Sequence, residues 1–89
     1  MKVDRSKTLI INHRHRFEVG KSSWNAKETS IRCRYDHPKT RRFSPRGSSE
    51  LPLHDFQPLM EIAAKNDLID ASTCAAIIQA LAASIQRQS

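Results

Sequence analysis

Hydrophobic and polar residues alternate over residues 8–19, with Leu9, Ile11, His13, His15, Phe17 and Val19 on one side and Thr8, Ile10, Asn12, Arg14, Arg16 and Glu18 on the other. A period of two is that of a half-buried strand. The alternation pauses over residues 20–27, a polar stretch with Trp24 in its middle, and resumes with Ile31, Cys33 and Tyr35 against Ser30, Arg32, Arg34 and Asp36. The two segments predict an antiparallel pair. Residues 36–40, Asp-His-Pro-Lys-Thr, have turn composition, and residues 41–44 predict a short third strand that Pro45 confines to a sheet edge.

Residues 45–54 are rich in breakers, and the period changes beyond them. Asp55 is placed to cap a helix whose first turn holds Pro58, where no intrahelical N–H is needed. This helix is predicted over about 56–66, with Phe56, Leu59, Met60 and Ala63 as its apolar stripe. Residues 67–70 form a connection. Asp70 or Ser72 caps a second helix over about 71–86, with Cys74, Ile77, Ile78, Leu81 and Ile85 as its stripe. The prediction is therefore one small α+β domain over residues 1–89. An antiparallel β-sheet of two to three strands, basic and N-terminal (8–44), is followed by a linker (45–54) and a helical hairpin (55–87). The two C-terminal α-helices pack on the apolar face of the sheet, giving two layers.

Composition sharpens this picture in two ways. The chain has 89 residues, too few for a two-domain enzyme, and its 38% of hydrophobic residues implies a thin core that a partner or a second copy would complete. Charge divides along the chain: residues 1–47 hold 13 Lys and Arg against 4 Asp and Glu, whereas residues 48–89 hold 2 against 5. No run approaches the roughly 18 apolar residues of a membrane span, and the first residues show no apolar leader segment. The two cysteines, Cys33 and Cys74, sit in apolar patterns that suit free thiols. Together these point to a cytoplasmic chain with no membrane partner.

The candidate chemistry lies on the polar side of the strands. Arg14, Arg16, Arg32 and Arg34 fall at i, i+2 spacing on neighbouring strands, and Lys39, Arg41, Arg42 and Arg46 extend the array through the following loop. Guanidinium is planar, permanently charged and able to grip phosphate oxygens in pairs, so the array predicts contacts with a nucleic-acid backbone. Trp24, between Lys21 and Lys27, is a candidate for base stacking or for a partner's pocket. Aromatic residues are too few for the stacking pattern of an RNA-recognition sheet. The expected partner is DNA or RNA, and the alternative is a protein-interaction module or inhibitor docking this basic face on an acidic or nucleic-acid-containing partner.

Other chemistries are weaker. His13 and His15, with Cys33 across the pair, have metal-like residue types but no C-x₂-C spacing, so no metal is expected. The same histidines beside arginines raise a metal-independent ribonuclease, yet spacing fixes no second catalytic group. No catalytic residue and no cofactor is assigned. The second helix carries no charge over residues 71–86, and its Ala75, Ile78, Gln79, Ala82 and Gln86 form a candidate interaction surface for a homodimer or a protein partner. Lacking basic residues before Arg87, it would read a DNA groove poorly.

Overall fold

The computed structural model describes residues 1–45 and 47–89. Strands β1 (Lys2–Ile10), β2 (His15–Lys21), β3 (Thr29–Tyr35) and β4 (Ser49–Pro52) precede a 3₁₀ turn (Leu53–Asp55) and helices α1 (Phe56–Lys65) and α2 (Ala71–Gln88). The class is α+β. The strands form an antiparallel meander in the order β1-β2-β3-β4. The chain divides into two compact units, Met1–Phe56 and Gln57–Ser89.

The sheet has four strands where the sequence predicts two to three, and three local causes account for the difference. The alternation over residues 8–19 is interrupted by a tight turn. The Asn12 side-chain oxygen accepts from the backbone N–H of Arg14 (2.9 Å) and of His15 (3.1 Å), and Ile11 N–H donates to the His15 carbonyl (3.0 Å). The turn splits the predicted strand into β1 and β2, and β1 reaches back to Lys2 through charged residues that carry no alternation. Residues 41–44 contribute only an isolated bridge from Phe43 to Asp36 in place of the predicted third strand. The fourth strand comes instead from the predicted linker, where Ser49–Pro52 pairs with β3 and ends the sheet. An edge strand tolerates the missing N–H of Pro52.

Pairing is regular between β2 and β3, from His15 opposite Tyr35 to Lys21 opposite Thr29. Register therefore sorts the side chains onto two faces. Arg16, Glu18, Arg32, Arg34 and Glu50 share one; His15, Phe17, Val19, Ile31, Cys33, Tyr35 and Leu51 share the other. Between β1 and β2 the register shifts within residues 4–9. The Asp4 carboxylate closes this bulge by accepting from the backbone N–H (3.1 Å) and hydroxyl (2.6 Å) of Ser6, which holds its pKa below the ordinary range. Near the bulge β1 runs so close to β2 that a Cβ on Gly20 would collide with the Lys2 backbone carbonyl.

In the helical unit, α2 starts as predicted at Asp70, whose carboxylate accepts from Thr73 N–H at 2.7 Å. Hydrogen bonding to Thr73 also lowers the Asp70 pKa. The predicted cap at Asp55 is not made, because the 3₁₀ turn absorbs this residue and runs directly into α1. Helix α1 ends in a Schellman arrangement, with Leu68 N–H donating to the Ala63 carbonyl (3.0 Å) and Asp67 N–H to that of Ala64 (3.2 Å). Asp67 takes the left-handed φ of 52° that the motif requires. Leu59, Met60, Ile78, Leu81 and Ile85, predicted to face inward, are exposed. No hydrophobic side chain among the described residues is fully buried. No helix among them is long and apolar enough to cross a membrane.

Candidate nucleic-acid interface

Glu18 is the centre of the polar face. It is 3% exposed, and three of the predicted arginines surround it. Arg32 donates to Oε1 through Nε (3.0 Å) and Nη2 (2.7 Å), and Arg34 Nη1 reaches Oε2 at 3.5 Å. Arg16 Nε lies 3.3 Å from Oε2, off the line of a hydrogen bond, and completes the group as an ion pair. Arg34 also donates from Nε to Asp36 Oδ1 at 2.9 Å, and Arg14 donates from Nε to the Asp36 carbonyl at 3.3 Å. The ring of Phe43 covers this network, with Arg32 Cζ 4.4 Å and Arg34 Cζ 5.0 Å from its centroid.

Arg16, Arg32 and Arg34 are thus brought together as their spacing predicts, whereas Arg14, predicted on the same strand, lies in the turn before β2 because the backbone bends at Asn12, and much of the charge of the group is spent inside the fold. Side-chain exposure falls to 14% for Arg32 and 20% for Arg34. Buried ion pairs of this kind offset their own desolvation only when geometry is good. Sequence reasoning places Glu18 on the arginine face and misses that it would become the hub, since that depends on Glu18 standing directly opposite Arg32.

Beyond the network, Lys7 pairs with Asp4 at 3.8 Å, and four other cations are notable for their positions. Arg5, unnoticed in the sequence because it lies outside any alternation, is raised by the β1 bulge into a cleft of about 480 Å³ lined also by Val3, Thr8, Ile10, Arg16, Glu18 and Arg34. Lys39, Arg41 and Arg42 are exposed on the loop that returns from β3. His37 N–H donates to the Arg42 carbonyl (2.7 Å), Arg41 N–H to the His37 carbonyl (2.9 Å), and His37 Nδ1 accepts from Lys39 N–H (3.2 Å). Arg41 adopts a left-handed φ of 60° to close it. Among the described residues none of Arg5, Lys39, Arg41 and Arg42 has a carboxylate within ion-pairing distance. Arg46 lies outside the described residues.

Trp24 is exposed in the β2–β3 loop, with its indole N–H donating to Glu28 Oε2 at 2.7 Å. Glu50 ties this loop to the sheet by accepting from Ser23 N–H (2.8 Å), Ser23 Oγ (2.7 Å) and Ser30 Oγ (2.8 Å). Burial pushes its pKa up, but these hydrogen bonds outweigh that and hold the carboxyl below its ordinary range. His15 faces the opposite side of the sheet from Arg16, Arg32 and Arg34, and His13 is exposed in the turn. Among the described residues no three His, Cys, Asp or Glu side chains gather closely enough to hold a metal ion. On α2, Ala75, Ile78, Gln79, Ala82 and Gln86 are all exposed and recur at helical spacing. Comparison of the chain with protein-family models, with curated proteins and with solved structures found no match.

Proposed function

We propose that the protein is a small, non-enzymatic nucleic-acid-binding protein whose polar sheet face and β3–β4 loop contact the phosphate backbone. The observation that carries this reading is the set of exposed cations with no ion pair among the described residues, Arg5, Lys39, Arg41 and Arg42, on the unit that also holds the guanidinium network, with Arg5 in a cleft beside it. Arg32 and Arg34 act chiefly as scaffold, whereas Arg5 and the more exposed Arg16 present guanidinium N–H groups at the cleft. Binding of this kind is mainly electrostatic and weakens with salt through counterion release. The test is titration of labelled duplex DNA, single-stranded DNA and RNA at two salt concentrations with protein purified free of nucleic acid. Binding that strengthens as salt falls supports the reading. Absence of binding by the folded protein at low salt refutes it.

A second reading, self-association through α2, is favoured by the exposure of its apolar residues, Ile78, Leu81 and Ile85, on a helix without charge over residues 71–86. Two copies meeting there would face no like-charge repulsion. Sedimentation equilibrium of the wild type against Ile78→Glu checks it: a dimer that the variant dissolves is expected, and a wild-type monomer at high micromolar concentration refutes it.

A further inference from the structure

The sheet face opposite the arginines holds a nucleophile and a base in contact. His15 Nε2 lies 3.2 Å from Cys33 Sγ, diagonally across the β2–β3 pair. The imidazole is oriented by two rings, Tyr35 stacked on it at 4.0 Å and 10°, and Phe17 tilted against it at 5.1 Å and 52°. A thiol within hydrogen-bond reach of a base that is itself held in place is the arrangement that activates a cysteine. Desolvation and the neighbouring Cys33 raise the Tyr35 phenol above its ordinary value. Cys33 is free and only half-buried.

The chain contains its own control. Cys74 is also free and half-buried, but its thiol donates to the Ile69 carbonyl at 3.5 Å with no imidazole beside it. It lies in the first turn of α2, where a helix would favour a thiolate. There the Asp70 carboxylate already occupies the N-terminus by accepting from Thr73 N–H.

We propose that Cys33 is a thiol–disulfide exchange site, with His15 as its proton acceptor and small disulfides of low molecular weight as its co-reactants. The Cys33 proton passes to His15 Nε2 as Sγ attacks one sulfur of the disulfide RSSR. The new Cys33–S–S–R bond forms, the old S–S bond breaks, and RS⁻ leaves to take a proton as RSH. Cys33 is oxidised and the departing sulfur reduced, so the step needs no other oxidant. The product places a polar adduct on the apolar face of the sheet, independently of any nucleic acid on the other.

The experiment treats the full chain with oxidised glutathione and follows each cysteine separately by peptide mass spectrometry. Cys33 is expected to react faster than Cys74 by about tenfold or more. His15→Phe, which keeps a ring against Tyr35 and removes the base, is expected to bring Cys33 down to the Cys74 rate without changing Cys74. Cys74 reacting as fast as Cys33, or a Cys33 rate indifferent to His15→Phe in a folded variant, would overturn the proposal. If circular dichroism shows that His15→Phe is unfolded, the wild-type ratio alone decides.

Discussion

The two faces of the sheet are made by the same strands and solve opposite problems. On the polar face, charge is closed upon itself: Glu18 is buried among Arg16, Arg32 and Arg34, Asp36 holds Arg34, and Phe43 lies over the guanidinium groups. On the apolar face, hydrophobic side chains are present but none is fully buried, and Leu9 is 61% exposed. The usual roles are reversed, with the most buried residues of the sheet, Glu18, Ser30 and Gly20, being polar or small. The specific geometry of this unit thus resides in its ion-pair network, and its apolar side chains contribute less than their number suggests.

The largest test of this contrast is Glu18→Ala. Removing the hub leaves three guanidinium groups without their common carboxylate, and the expected loss of stability is about 3–5 kcal/mol, measured by urea denaturation. A loss under about 1 kcal/mol would place the stability elsewhere. Gly20→Ala comes next, because its Cβ collides with backbone and β1 must shift. A cost of about 1–3 kcal/mol is expected, with hydrogen exchange accelerating over residues 2–10 before the rest of the sheet.

Acid provides a smaller, graded test. The folded-state pKa of Glu50 is depressed, so its contribution is fully present above its unfolded pKa of about 4.3 and is lost as pH falls through the lower folded value. Thermal stability should therefore decline below about pH 4.3, and Glu50→Gln should flatten part of that decline. The smallest effect belongs to the apolar face, where Leu9→Ser should cost less than about 0.5 kcal/mol because the side chain is already in water. A larger loss, read from the same urea curves, would mean that this face is covered in solution.

How much of this was legible beforehand follows from which signals are local. The alternation around Phe17 and Cys33 put the arginines on one face and the apolar residues on the other without knowledge of register, and the Asp70 cap was visible as a single residue before a periodic stretch. The turn at Asn12 was hidden because its neighbours, His13 and Arg14, continue the alternation while the backbone bends. Strand β4 was hidden because Ser49, Pro52 and the preceding glycine read as a breaker-rich linker, although an edge strand accepts such residues. The hub role of Glu18 and the contact between His15 and Cys33 depend on cross-strand pairing. Arg5 depends on a bulge, which no periodicity announces.

On our proposal the arginine-rich face divides into residues committed to the fold and cations left for a polyanion. This division is tested most directly by the salt dependence of duplex binding in an Arg5/Lys39/Arg41/Arg42→Ala variant. The variant should fold with wild-type stability, and the slope of log affinity against log salt should shrink by about 0.9 for each cation that meets a phosphate. A folded variant that binds with the wild-type affinity and slope would contradict the division and return the phosphate contacts to the arginines around Glu18.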